Sequence, residues 1–207
     1  MLDRLDHLVL AGPDLEQAVA WFADLTGVQP APGGSHVGIG TANYLVGLGG
    51  AAYLEIIGPD PEQPAPAQPR PFGIDGLVAP QVVTWAVSTD DLDRLIDTAR
   101  AAGYDPGPPR AMSRRTGDGQ LLEWRLTPPR LDPGDELVPF LIEWGETPHP
   151  TSRPLPETPL VDFQARHPDP DSIRPALDAL GVDLPVGLGE LRALTVVVQG
   201  ADGPVTL

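Results

Sequence analysis

Among its 207 residues the chain has no cysteine. Disulfide scaffolds and thiolate chemistry are therefore excluded. Basic residues are scarce: 13 Lys and Arg stand against 29 Asp and Glu, a formal net charge of −16. Such a field repels polyanions, so nucleic acid and anionic membrane surfaces are poor partners. No apolar run approaches the roughly 20 residues of a membrane-spanning helix. The opening Met-Leu-Asp-Arg-Leu-Asp-His lacks the basic-then-apolar pattern of a secretory leader, so the expected compartment is the cytoplasm.

What is present is a core and a repeat. Hydrophobic residues make up 41% of the chain, enough for a sizeable interior. The 27 prolines and 23 glycines are interspersed with apolar runs, as turns and connectors are. Three segments share one layout: a short apolar strand, a turn with Asp, an amphipathic helix and a closing Gly. They run from residue 5 through Asp14 to Gly27, from 82 through Asp91 to Gly103, and from 160 through Asp169 to Gly181. A near-constant period signals one supersecondary unit used repeatedly.

The helices carry apolar stripes. Leu15, Ala18, Val19, Phe22 and Leu25 form the first, and Leu92, Leu95, Ile96, Ala99 and Ala102 the second. Ile173, Ala176, Leu177 and Leu180 form the third. Asp14 with Gln17 makes a capping box. Pro175 is tolerable if Asp171 or Ser172 caps the third helix, since first-turn amides lack an intrahelical partner. Strands follow at 36–40, 42–48 and 52–57, then at 111–116, 121–127 and 139–144, with a Gly117-Asp118-Gly119 turn signal. The unit is thus βαβββ, twice. The third is a shorter βαββ, with strands at 191–199 and 204–207.

The expected fold is α+β: paired βαβββ modules, 1–60 and 80–146, forming one cupped mixed sheet with helices outside. Together they make a body of residues 1–150, with a partial repeat over 151–207 packed on it. The proline-rich stretches 58–71 and 147–159 read as extended connectors over the surface. Both modules lie in one chain, so a complete cleft can form in a monomer; a homodimer is equally compatible.

Three strands are apolar except for one ionisable residue. His7 sits in Leu5-Asp6-His7-Leu8-Val9-Leu10, Glu55 in Tyr53-Leu54-Glu55-Ile56-Ile57 and Glu143 in Phe140-Leu141-Ile142-Glu143-Trp144. Side chains alternate faces along a strand. If the more apolar set, including Phe140, Ile142 and Trp144, meets the helices, then His7, Glu55 and Glu143 project from the concave face. A buried carboxylate there needs compensation from a divalent metal, an arginine or a polar substrate. Nearby, Met112-Ser113-Arg114-Arg115 faces Leu122-Glu123-Trp124-Arg125 across a hairpin. Arg115 or Arg114 can bind a ligand carboxylate or phosphate, with Ser113 beside them, and Trp85 and Trp124 can form an aromatic wall.

The same residues carry a family resemblance. The opening strand with Pro13-Asp14-Leu15, the stretch Gly33-Gly34-Ser35-His36 to Gly40-Thr41-Ala42-Asn43, Tyr53-Leu54-Glu55 and Phe140-Leu141-Ile142-Glu143-Trp144-Gly145 resemble glyoxalase-like domain proteins of the vicinal-oxygen-chelate superfamily. That superfamily places metal ligands on the first and last strands of each module. The resemblance implies His7, Glu55 and Glu143 as ligands of one divalent ion (Zn, Mn, Fe or Ni), with Glu55 or Glu143 as base. The fourth position falls near Trp85, which offers no ligand, and His36 is a substitute ligand or acid/base. Two functions follow as expectations: a metal-dependent isomerase or lyase acting on a small oxygen-rich metabolite, or a metal-free protein that binds and sequesters a small molecule.

Overall fold

The computed structural model describes residues 3–116, 119, 121–129 and 135–207. Gly117 and Asp118 of the expected hairpin turn lie outside them. The first module runs β1 (Leu5–Ala11), α1 (Leu15–Thr26), β2 (Ala31–His36), β3 (Thr41–Gly47) and β4 (Tyr53–Pro59). The second runs β5 (Gln81–Ser88), α2 (Leu92–Ala101), β6 (Arg110–Arg115), β7 (Leu121–Leu126) and β8 (Phe140–Glu143). The remainder gives β9 (Leu160–His167), α3 (Pro170–Ala179), β10 (Val186–Leu188), β11 (Ala193–Gly200) and β12 (Gly203–Thr206).

Each of the first two helices starts where its Asp caps it. Asp14 accepts from the Gln17 amide at 2.9 Å and Asp91 from the Arg94 amide at 3.0 Å. Gly27, at φ 72°, takes the left-handed turn that ends α1. Helix α3 begins earlier than Asp171 or Ser172 would allow, with Asp169 at its cap position, so Pro175 stands inside it. One intrahelical hydrogen bond is lost there.

The eight strands of the two modules form one mixed sheet curled into a barrel, in the order β1-β4-β3-β2-β6-β7-β8-β5. The cupped α+β architecture read from the sequence is the one observed. Strand β1 pairs parallel with β4 and antiparallel with β5. At the opposite seam β2 meets β6 through Ser35 and Arg115. Strand β2 lies earlier than the expected 36–40, because Pro32, Gly33 and Gly34 conceal a strand. The ladder is irregular between Pro32 and Gly34. Those glycines are needed: a Cβ on Gly34, at φ +144°, would stand 2.0 Å from the Arg115 carbonyl oxygen.

The outer face of the barrel holds the main core. Leu8, Leu10, Leu54, Ile56 and Phe22 are completely buried there against the helices, each contributing about 1.5–3 kcal/mol. The C-terminal sheet, ordered β10-β9-β11-β12, packs on that face, with Phe163 edge-on to Trp85 at 5.1 Å. Its strand order differs from the modules: β9 is central, flanked by parallel β10 and antiparallel β11. The inner face of the barrel is free for a site.

Candidate functional site

The inner face is set by alternation from β1 and β4. His7 and Val9 point inward while Leu8 and Leu10 meet the helices. On β4, Tyr53, Glu55 and Ile57 point inward. On β8 the alternation holds but the assignment of faces reverses the expectation. Phe140, Ile142 and Trp144 line the interior, and Glu143 lies outside. Glu143 Oε1 accepts from the Leu92 amide at the start of α2, and Oε2 pairs with Arg125 at 3.1 Å. Polarity misleads here because both faces of β8 are apolar surroundings.

The interior groups form a chain of contacts. A bulge between Leu5 and His7 leaves Asp6 unpaired opposite β5, and its carboxylate is almost wholly buried. Its Oδ1 lies 2.6 Å from His7 Nδ1. Its Oδ2 accepts from Trp144 Nε1 at 3.0 Å and lies 3.3 Å from His149 Nε2. Burial pushes the Asp6 carboxyl upward, but the hydrogen bonds from His149 and His7 outweigh it and hold it at about 2. An ionised Asp6 fixes the His7 proton on Nδ1 and turns Nε2 toward Glu55, whose Oε2 is 3.9 Å away. Tyr53 stacks on the His7 ring at 4.8 Å.

Glu55 is the centre of the array. Its Oε1 accepts a 2.5 Å hydrogen bond from Asn43 Nδ2 and lies 3.9 Å from His36 Nε2. His36 Nδ1 is 3.0 Å from the Thr41 hydroxyl. Burial lowers the pKa of His36 below its ordinary value, against the pull of Glu55. Burial raises the Tyr53 phenol well above its usual range, with Asp6 and Glu55 adding to it.

The structure brings His7, Glu55, His36 and Trp124 together and leaves out Glu143, Trp85, Ser113 and Arg115. Trp85 is fully buried on the outer face, donating from Nε1 to the Leu137 carbonyl at 2.9 Å. Ser113 and Arg115 are exposed, and the inward residues of β6 are Arg110, Met112 and Arg114. Asp6, Asn43, Tyr53 and Phe140 complete the site. Asn43 and Tyr53 were detectable by alternation, two residues from Thr41 and Glu55. Asp6 was not, because only the bulge turns it toward His7.

An internal two-fold explains what the site contains. Leu8 pairs with Trp85, His7 with Ala86 and Val9 with Thr84. The second bulge falls at Val83, as the first falls at Asp6. Asp6, His7 and Val9 therefore correspond to Val83, Thr84 and Ala86, each set equally far from its helix cap. Val9 pairs with Glu55 on β4, and Ala86 pairs with Phe140 on β8. The counterpart of Glu55 is thus Phe140, not Glu143, and the counterpart of His7 is Thr84, not Trp85. One half of the site carries Asp, His and Glu; the other carries Val, Thr and Phe.

That donor set does not fit a divalent ion. A catalytic metal asks for about three protein ligands. Glu143 faces away, Thr84 and Phe140 contribute no strong donor, Glu55 Oε1 is engaged by Asn43, and His36, the substitute ligand, is nearest to that engaged oxygen at 3.9 Å. Among the described residues no group of three His, Cys, Asp or Glu is placed to hold a metal ion.

The cavity itself is about 520 Å³. Trp124, Met112, Leu126, Phe140 and Ile142 supply its apolar wall. Residues 68–71, the end of the proline-rich stretch expected to run over the surface, and Phe72 after them also line the cavity as a strap. Arg70 anchors that strap, donating from Nε to the Gly40 carbonyl at 2.8 Å and pairing with Asp75. Phe72 adopts φ 60°, a conformation that costs a non-glycine residue about 1–3 kcal/mol, and packs 6.2 Å from Phe140. Elsewhere, among the described residues, no helix is long and apolar enough to cross a membrane.

A hypothetical protein from Staphylococcus aureus has a similar fold, with TM-score 0.66 at 13% identity over 93% of this chain and 88% of that one. Methylmalonyl-CoA epimerase from Mycobacterium tuberculosis matches with TM-score 0.43 at 19% identity, over 73% of this chain and 93% of that one. A triple mutant of 4-hydroxymandelate synthase from Streptomyces coelicolor matches with TM-score 0.49 at 18% identity, over 100% of this chain and 63% of that one. No curated protein matches the sequence. The family model described as "Glyoxalase-like domain" matches residues 5–181, most of the chain. The chain therefore belongs to the glyoxalase-like domain family.

Proposed function

We propose that this chain is a small-molecule-binding protein that works without a bound metal. Its ligand places an apolar body against Met112, Trp124 and Phe140 and a polar head among His7, Glu55 and His36. The observation that carries this reading is the asymmetry of the matched strand positions: Asp6, His7 and Glu55 stand in one half of the two-fold, Val83, Thr84 and Phe140 in the other. A pocket with a large apolar wall and a few convergent polar groups is a ligand site by construction. The metal-dependent isomerase or lyase reading loses Glu143 to the outer face and would have to rest on His36 beside His7 and Glu55.

A suitable probe is 4-phenylbutan-2-one, which has an aryl body and a single carbonyl. Chelator-treated protein is expected to show saturable quenching of tryptophan fluorescence by this ketone, with Trp124→Ala weakening binding. Binding that requires added metal, or no saturable binding, refutes the proposal.

One observation favours a catalytic version. Asp6 orients His7 at 2.6 Å and leaves Nε2 directed into the cavity, the arrangement of a general base. His7 Nε2 would take a proton from the carbon beside the ligand carbonyl, leaving an enolate, and return it to the same carbon. In D2O the bound ketone would then exchange its α-protons, and His7→Gln would abolish exchange even at saturating ketone. Absence of exchange in the wild type leaves a binding protein alone.

A further inference from the structure

We infer that the ligand is a monocarboxylic acid and that Arg114 is the residue that recognises its carboxylate. This rests on the cavity being a ligand site, as proposed above, and adds the chemical class. Arg114 points inward from β6 and is 3% exposed. Its Nη1 donates to the Gly33 carbonyl. Among the described residues the guanidinium makes no other hydrogen bond and no ion pair. A buried guanidinium normally sits against a carboxylate, because its donors cannot be left bare in a low-dielectric interior.

The acids already in the cavity are committed elsewhere. Glu55 is held by Asn43 and flanked by His7 and His36. Asp6 is held by His7, Trp144 and His149. Burial lowers the Arg114 pKa and Arg153 adds to this, while Tyr53 and Glu55 offset it only in part. The fork of an arginine matches a carboxylate in plane and spacing.

The same surroundings select against higher charge. A phosphate monoester would bring close to two negative charges beside Glu55, with a single buried cation to meet them. Arg110 lies on the same face of β6, about 13 Å along the strand toward the mouth, and is exposed. In a chain of net charge −16 it gives the entrance a local positive site for an incoming anion.

The test compares 4-phenylbutanoate, its primary amide 4-phenylbutanamide, and phenethyl phosphate by calorimetric titration at pH 8. The acid is expected to bind wild-type protein about tenfold or more tighter than the amide and tighter than the phosphate. Arg114→Gln is expected to remove that preference, the acid losing more affinity than the amide. Equal or weaker binding of the acid, tighter binding of the phosphate, or a preference that survives in Arg114→Gln overturns the inference. If the amide binds and the acid does not, the cavity proposal stands and the carboxylate assignment fails. If neither binds, both fail. The wild-type comparison needs no variant, so it decides even where Arg114→Gln does not fold.

Discussion

Replacing Asp6 by Asn tests the most strongly perturbed group in the site. Its carboxyl is held at about 2, against an ordinary value of 3.8. At about 1.4 kcal/mol per pH unit of difference, the ionised carboxylate stabilises the fold by about 2 kcal/mol. A depressed carboxylate contributes fully above its unfolded value and loses that contribution as pH falls through its folded value. The window is therefore between about pH 4 and pH 2. Asp6→Asn should cost about 2 kcal/mol at pH 7, and the gap to wild type should close as acid protonates Asp6. The assay is urea unfolding of both proteins from pH 7 downward. Other acids titrate in both, so the difference between the two curves isolates Asp6. A gap that stays constant down to pH 2.5, or no gap at pH 7, refutes the electrostatic account of the Asp6–His7 pair.

Three further substitutions check which face each residue occupies. Glu143→Gln should cost about 0.5–1.5 kcal/mol by weakening the contacts to Leu92 and Arg125, and leave ligand affinity unchanged; altered binding in fluorescence titration would contradict the outward placement. Trp85→Phe should cost about 1–3 kcal/mol, since the Leu137 carbonyl loses its donor in a buried place, again without effect on binding. Gly34→Ala forces a Cβ against Arg115 where β2 meets β6, and a melting temperature within a degree of wild type would show that the seam is not built as described.

The strands and helices were legible because their signals are local. Asp14 and Asp91 mark the caps, apolar stripes mark the helices, and the repeat of the pattern gives two modules. The choice of inner face was not legible on β8. Phe140 and Ile142 meet a cavity wall and Leu141 meets the helix layer, and both environments demand apolar side chains. The site was half legible. His7 and Glu55 stood out as lone ionisable residues in apolar strands, but matching Glu55 to Glu143 by strand rather than by register placed the third member on the wrong side. Register depends on two bulges, at Asp6 and Val83, that no composition or periodicity marks. The strap was missed for a different reason: proline bars 58–71 from a sheet interior but not from the lining of a cavity.

The two-fold correspondence makes a demand of its own. If Thr84 matches His7 and Phe140 matches Glu55, then Thr84→His with Phe140→Glu gives the second half of the site the donors of the first. The new imidazole and carboxylate would then join His7 and Glu55, with His36 beside them, in a set that suits Zn, Mn, Fe or Ni. Without metal, the double variant should be less stable than wild type, because a new carboxylate and imidazole replace apolar packing around Trp144 and Ile142. Added Zn or Ni should raise its melting temperature, since ligands that are repelled or desolvated when empty are paired when filled. Wild-type protein should show no such rise, and Phe140→Glu alone should show less than the pair. If wild type itself is stabilised by metal, the donor set has been misjudged. If the double variant folds and gains nothing, the register that equates the two halves is wrong, and the asymmetry on which ligand recognition depends would need another origin.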